Sequence, residues 1–133
     1  MNIFHMNASA GKAIQSMTML SHDMVEIVFN DNMTIHLKDL KESFEELAEF
    51  TQGKRLKKLI IAGTNTKIKK EARNYGHHEI KRIQHTVVAE AIVVRTRHQK
   101  WAMNLYFSFI KNTYPAKSFT DAEKAKEWLD QQV

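Results

Sequence analysis

The period of the apolar positions changes at Gly63. Ahead of it, Leu56, Leu59, Ile60, Ile61 and Ala62 form a run too short for a helix and closed by a glycine, which predicts a strand buried on both faces. Gly63, Thr64, Asn65 and Thr66 supply a loop. From about Ile68 the recurrence becomes helical: Ala72, Tyr75, Gly76, Ile80 and Ile83 share one narrow sector, while Lys69, Lys70, Arg73, His77, Lys81 and Arg82 lie outside it. This order puts the loop at the carboxyl end of a strand, where open α/β sheets receive ligands or partners.

Strands are also predicted over 13–20 and 24–29, joined at Ser21, His22 and Asp23, and over 33–36 after a turn at Asn30, Asp31 and Asn32. A helix over 37–51 follows, with Leu40, Phe44, Leu47 and Ala48 on one face, Asp39 and Glu42 near its start and Gly53 as its stop. Val87, Val88, Ala91, Ile92, Val93 and Val94 predict another buried strand over 86–95. Its single acid, Glu90, reads as an edge or bend position rather than a buried, paired one, because a buried lone carboxylate is costly. A last strand over 116–119 follows Pro115, and Thr120 with Glu123 forms a capping box before a helix whose inner face is Ala122, Ala125, Trp128 and Leu129.

The helix over 97–111 has an unusual apolar width. At about 100° per residue, Trp101, Leu105, Phe109, Ala102, Tyr106, Ile110, Met103 and Phe107 sweep about 240° of its circumference. One sheet face does not cover that, so the helix is either wedged between sheet and neighbouring helices or meets a second subunit. The second half of the chain alternates strand and helix, which implies parallel strands with right-handed crossovers, and the opening hairpin adds antiparallel pairing. The fold class is therefore α/β with a mixed sheet.

At 133 residues the chain fits one domain over 12–133, with 1–11 as a flexible tail or an added edge segment. Cysteine is absent, which removes disulfides, thiolate metal sites and thiol nucleophiles. No apolar run nears the roughly 20 residues of a membrane span, and the start lacks a secretory signal pattern, so a cytoplasmic protein is expected. The net charge of +5 is unevenly spread. Residues 54–100 hold 13 Lys or Arg against 3 acids, and the remainder holds 7 against 12. Such a run forms either solvated faces of helix and strand or a site for an anionic partner.

Thr64, Thr66, Lys67, Lys69, Lys70 and Arg73 are the candidate partner-binding residues. Free backbone N–H groups at a helix N-terminus attract negative charge, and these cations stand in the same first turns. Trp101, Leu105, Tyr106 and Phe109 are the candidate homodimer interface, with Lys100 and Asn104 at its rim. His77 and His78 are adjacent on a helix and diverge by about 100°, a poor arrangement for a shared metal. No nucleophile elbow and no glycine-rich dinucleotide fingerprint is present. Neither catalytic residues nor a metal nor a cofactor is expected.

The element order, together with Leu59–Ile60–Ile61–Ala62–Gly63, Lys70–Glu71–Ala72–Arg73–Asn74–Tyr75, Lys117–Ser118–Phe119–Thr120–Asp121–Ala122 and the Trp128–Leu129 pair, resembles the bacterial SpoIIAA-like, or STAS-like, domains from about Ala13 onward. The resemblance implies a mostly parallel mixed sheet with about four helices, and a regulatory, protein-binding module rather than an enzyme. Anti-sigma-factor antagonists of this type carry an Asp-Ser-Ser type segment, in which a serine is phosphorylated, at the start of the helix after the central strand. Ile68, Lys69 and Lys70 occupy the matching positions here, with no hydroxyl, so the serine phosphoswitch is not expected; Thr64 and Thr66 are the nearest hydroxyls. Two other classes stand beside the interaction module. A Sec14-like carrier of a lipid or small apolar molecule requires an apolar cavity of at least about 300 Å³ beneath residues 101–110. Nucleic-acid binding rests on the basic segment alone and lacks exposed aromatic residues among the cations.

Overall fold

The central strand β5 (Leu56–Ile61) has four consecutive buried residues, Leu56 to Leu59, and half-buried Ile60 and Ile61. It runs between β3 (Met24–Phe29) and β7 (Val87–Val93), parallel to both. The structure, a computed structural model, describes residues 5–7, 12–109 and 114–133, with side chains over 12–105 and 114–133. The remaining elements are β1 (His5–Asn7), β2 (Ile14–Ser21), β4 (Thr34–Ile35), α1 (Leu37–Thr51), β6 (Lys67–Ile68), α2 (Lys70–Ile83), α3 (Arg97–Phe109), β8 (Ala116–Phe119) and α4 (Ala122–Asp130). Six strands form one sheet in the order β1-β2-β3-β5-β7-β8, antiparallel over β1-β2-β3 and parallel from β3 to β8. Residues 5–7 thus add an edge strand; the rest of the 1–11 segment lies outside the described residues.

Side-chain alternation along the strands divides the core in two. Leu59, Ala89, Ala91 and Phe119 meet Ala125 and Leu129 of α4 on one face. Ile27, Leu56 and Ile60 meet Leu47 and Phe50 of α1 on the other, where α1 packs on α2. The inner face of α1 differs from the sequence pattern. Ala48 is exposed, whereas Ser43 and Thr51 are buried. Both hydroxyls donate to the backbone four residues earlier, Ser43 Oγ to Asp39 O at 2.8 Å and Thr51 Oγ1 to Leu47 O at 2.8 Å, which satisfies them without a partner across the core.

Three local expectations change. The helix after the central strand begins at Lys70, because Lys67 and Ile68 pair with Thr34 and Ile35 as a small parallel ladder beside the main sheet. The cap of α4 is Asp121, not Thr120; its carboxylate accepts from Glu123 N at 2.8 Å and Lys124 N at 3.5 Å. Glu90 is neither at an edge nor at a bend, since β7 is interior and pairs with β5 and β8. What offsets the cost of its position is the hydrogen bond from Tyr114 together with the charge of Lys58, which stands opposite it in the register of β5 and β7.

Gly63 has a steric reason. A Cβ there would run into the Asn30 carbonyl and lie 2.9 Å from Thr66 Oγ1, so a side chain would push the β3 and β5 loops apart. Gly63→Ala is expected to cost about 1–3 kcal/mol through overpacking, read as a lower urea midpoint with an unchanged slope. An unaltered midpoint would show that the loops yield without cost.

Candidate functional site

The loops after β3 and β5 are knitted into one unit at the carboxyl end of the sheet. Asn32 N donates to Thr64 O at 2.8 Å, Thr64 N donates to the Asp31 carboxylate at 2.8 Å, and Asn65 Nδ2 donates to Asn32 Oδ1 at 3.0 Å. The hydrogen bond from the Thr64 backbone, then that from the Thr64 side chain, hold the Asp31 carboxyl below its usual range against the opposing effect of burial. Thr66 Oγ1 lies 3.3 Å from Thr64 O and 3.5 Å from Asn30 O, so it serves the loop backbone. Asn32 and Asn65 adopt positive φ, 56° and 52°, which asparagine tolerates better than most residues.

Beyond this platform the chain turns cationic. Lys67, Lys69, Lys70 and Arg73 are all exposed, and none of their side chains makes a hydrogen bond or ion pair among the described residues. The backbone of this segment is nevertheless fixed, with Lys67 N donating to Met33 O and Lys69 N to Ile35 O, each at 2.9 Å. Lys69 is the N-cap of α2 and offers no capping side chain. The first-turn N–H groups are therefore left to solvent or to an external acceptor. Four charges on a braced backbone beside a helix N-terminus favour an anion and oppose the helix itself.

On α3, Trp101 is 62% exposed and Leu105 42%. The side chains of Tyr106 and Phe109, the other two residues of the expected dimer face, lie outside the described residues, as do Ile110 and Lys111. An open groove of about 450 Å³ runs from Arg97, Lys100, Trp101 and Asn104 to Thr120 and Lys124. Three cations line it, Arg97, Lys100 and Lys124, which does not suit a lipid chain. Trp101 does place one exposed ring among cations, although a single ring is not an interleaved track for successive bases. Asn104 is not free to close a rim. Its Oδ1 accepts from Ser118 N at 2.8 Å, and Ser118 Oγ donates to Lys100 O at 2.7 Å, which ties α3 to the unpaired edge of β8.

A third cluster was not anticipated. Lys58 is 7% exposed. It and Glu90 line, with Tyr114, a cavity of about 110 Å³ between the sheet and helices α1 and α2. Burial lowers the Lys58 pKa against the opposing pull of Glu90. Burial likewise raises that of Glu90, opposed by Lys58 and by the hydrogen bond that the Tyr114 hydroxyl donates; the Tyr114 phenol is itself pushed up, mainly by burial. The available signal was a charged residue in a strand already read as buried on both faces. This cavity lies under α1 and α2 and has about a third of the volume expected for a carrier; the side chains of 106–110, beneath which a carrier cavity is expected, lie outside the described residues.

Removing one member of the cluster should expose the interdependence of the other two. Lys58→Met is expected to cost about 2–3 kcal/mol in urea unfolding at neutral pH, somewhat less than breaking a fully enclosed pair because Tyr114 still bonds Glu90. Lys58→Met with Glu90→Leu should recover most of that loss. Strictly additive losses would mean that the two charges do not act as a pair.

A crystal structure of an uncharacterized protein of the DUF3478 family from Shewanella loihica PV-4, with a SpoIIAA-like fold, is similar in backbone: the TM-score is 0.68 at 19% sequence identity, covering 93% of this chain and 98% of that one. That likeness, with the mixed and mostly parallel sheet and four helices, assigns the SpoIIAA-like fold. No curated protein matches the sequence. Residues 18–133 match the model of the family described as a domain of unknown function, DUF7793, and the chain belongs to that family.

Proposed function

We propose that this domain is a non-catalytic interaction module of the STAS-like type, which docks an acidic protein surface at the carboxyl end of its sheet and works without a serine phosphoswitch. The observation that carries this reading is the set of exposed cations Lys67, Lys69, Lys70 and Arg73, unpaired among the described residues, around the start of α2, which has no side-chain cap. Their backbone is braced by the β4–β6 ladder, so docking would order few main-chain residues, and the cost of immobilising the site is correspondingly small. Ile68, Lys69 and Lys70 stand where an antagonist of this type carries the phosphoswitch segment; permanent positive charge there replaces a switchable negative one. Charge complementarity of this kind sets encounter rate and orientation more than final affinity.

The test is affinity capture from the native organism at low salt, comparing the wild-type chain with Lys69→Ala/Lys70→Ala. The variant should retain an acidic partner at least about fivefold less well, and raising the salt should weaken the wild type toward it as the screening length shrinks to about 8 Å. Thermal stability should stay level or rise slightly, since each cation at that helix end costs a few tenths of a kcal/mol. Equal retention by the two proteins would remove this site from the reading.

The exposed Trp101 on α3 supports a second element of the proposal, a two-fold pairing of chains through that helix. Isologous pairing lets one patch bury itself against its own copy, and tryptophan is enriched at the centre of such contacts. Light scattering at micromolar concentration should give twice the 15.5 kDa chain mass, and Trp101→Lys should return it to a single chain. A wild-type protein that runs only as a monomer would exclude the pairing.

A further inference from the structure

The groove that runs from α3 to the start of α4 has walls that are complete without a ligand. At the start of α3, Gln99 Oε1 accepts from Arg95 N and Thr96 N, each at 3.1 Å, and Thr96 Oγ1 accepts from Gln99 N at 3.1 Å. Asp121 caps α4, and Ser118 of β8 is bonded to both Asn104 and Lys100 of α3. The charges that line the groove take no part in this. Arg97 and Lys124 are exposed, Lys100 is half-buried, and none of the three side chains makes a hydrogen bond or ion pair among the described residues. No carboxylate stands with them among the described lining residues. Trp101, 62% exposed, adds an aromatic ring.

These features limit what fits. The occupant must bring negative charge to meet the cations and a flat apolar group to cover Trp101. Small-molecule sites enclose most of their ligand in largely apolar walls, whereas this groove of about 450 Å³ is open and cationic. One ring offers no track for successive bases. An acidic chain segment with an aromatic side chain meets these conditions, because it lies along an open surface and anchors at one point. The groove is also continuous with the platform beside α2. Strands β5, β7 and β8 end side by side, with Ala62 N donating to Val93 O at 3.0 Å and Val94 N to Phe119 O at 2.8 Å. At about 4.8 Å between neighbouring strands, the loops that leave β5 and β8 start about 10 Å apart. Exposed Arg95 leaves β7 between them, and the Asp31 carboxyl, held down first by the Thr64 bonds, also feels its charge.

We propose that the partner of this domain presents an acidic chain segment with an aromatic side chain, which crosses the carboxyl edge of the sheet from the cations of α2, past Arg95, and seats that side chain on Trp101 in the groove. The inference rests on the docking proposed at α2 and adds its specificity. Charge brings the segment to the edge, and the ring against Trp101 fixes its position. Arg97, Lys100 and Lys124 meet the carboxylates that flank the ring. At roughly 3.3 Å per extended residue, about three residues cover the distance between the β5 and β8 loops, so a short stretch of chain is enough. Pairing of two chains through α3 would cover the same ring, and the segment and a second copy therefore compete for it.

Two fluorescein-labelled peptides test it on the full chain by polarisation at low salt. One has about twelve residues, roughly 40 Å when extended, all Glu except for a central Phe; in the other that Phe is Ala. The wild-type chain should bind the Phe peptide at least about fivefold more tightly than the Ala peptide. Trp101→Ala should abolish the preference, and Trp101→Phe should keep part of it. Trp101 is exposed, so neither substitution disturbs the core. Lys69→Ala/Lys70→Ala should weaken both peptides alike and leave the preference unchanged. A second chain on α3 lowers both affinities by the same factor, so the preference does not depend on it. A wild type that binds the two peptides equally, or binds neither, would overturn the inference, and so would a preference that survives Trp101→Ala. An intact preference with no loss of affinity in Lys69→Ala/Lys70→Ala would overturn the crossing from α2, and the docking there, while leaving the groove as the aromatic site.

Discussion

Parallel pairing of β5 with both β3 and β7 is the constraint on which the other features depend. A parallel strand is reached only by a crossover, so helices must pass over the sheet and bury strands on both faces. That demand explains why Leu56 and Leu59, which point to opposite faces, are both buried. It also removes the option of a solvated face for Lys57 and Lys58. Lys57 resolves this at the strand's beginning, where its ammonium reaches the Asp23 carboxylate at 3.6 Å. Lys58, one residue further in, stands opposite Glu90 on the neighbouring strand and feels its charge.

The same pairing gathers the strand exits. β3, β5, β7 and β8 all end on one side of the sheet, so the loops that follow them converge there. The fit is tight enough that Gly63 sits against the Asn30 carbonyl, and the Asp31–Thr64 bond closes the gap between the two loops. A rigid platform results, and the cations that follow it are held by the β4–β6 ladder rather than by partners of their own. The arrangement opposes local helix stability. Neither Lys67 nor Lys69 contributes to the core, being exposed, so their charge acts outward.

Much of this was legible from periodicity. The boundaries of α1, at Leu37 and Thr51, and of β8, at Ala116 and Phe119, coincide with those read from the pattern, because strong amphipathic spacing with clear stop residues leaves little for tertiary context to decide. The Lys67–Ile68 strand was not legible: two residues have no period, and their pairing depends on Thr34 and Ile35 more than 30 positions away. The cap on α4 slipped by one because Thr120 and Asp121 are both good capping residues, and only the backbone extension at Asp121 chooses between them. Glu90 was misplaced for a deeper reason. The cost of burying a carboxylate depends on its neighbours, and here these are Lys58 from a strand and Tyr114 from a loop, neither of which is near it in sequence.

The basic segment itself divides along this line. A count of 13 cations over residues 54–100 treats each charge alike, but the effective dielectric around it differs by location. Exposed Lys69 and Lys70 interact through water, where salt screens them and a partner must lie close to benefit. Lys58, buried opposite Glu90 on the neighbouring strand, interacts in a medium where one pairing outweighs many solvated contacts. Charge on the surface of this domain therefore acts outward over a screened range, while charge in its interior acts on its immediate neighbours, and the difference follows from a single strand that passes from one environment to the other between Lys58 and the loop at Gly63.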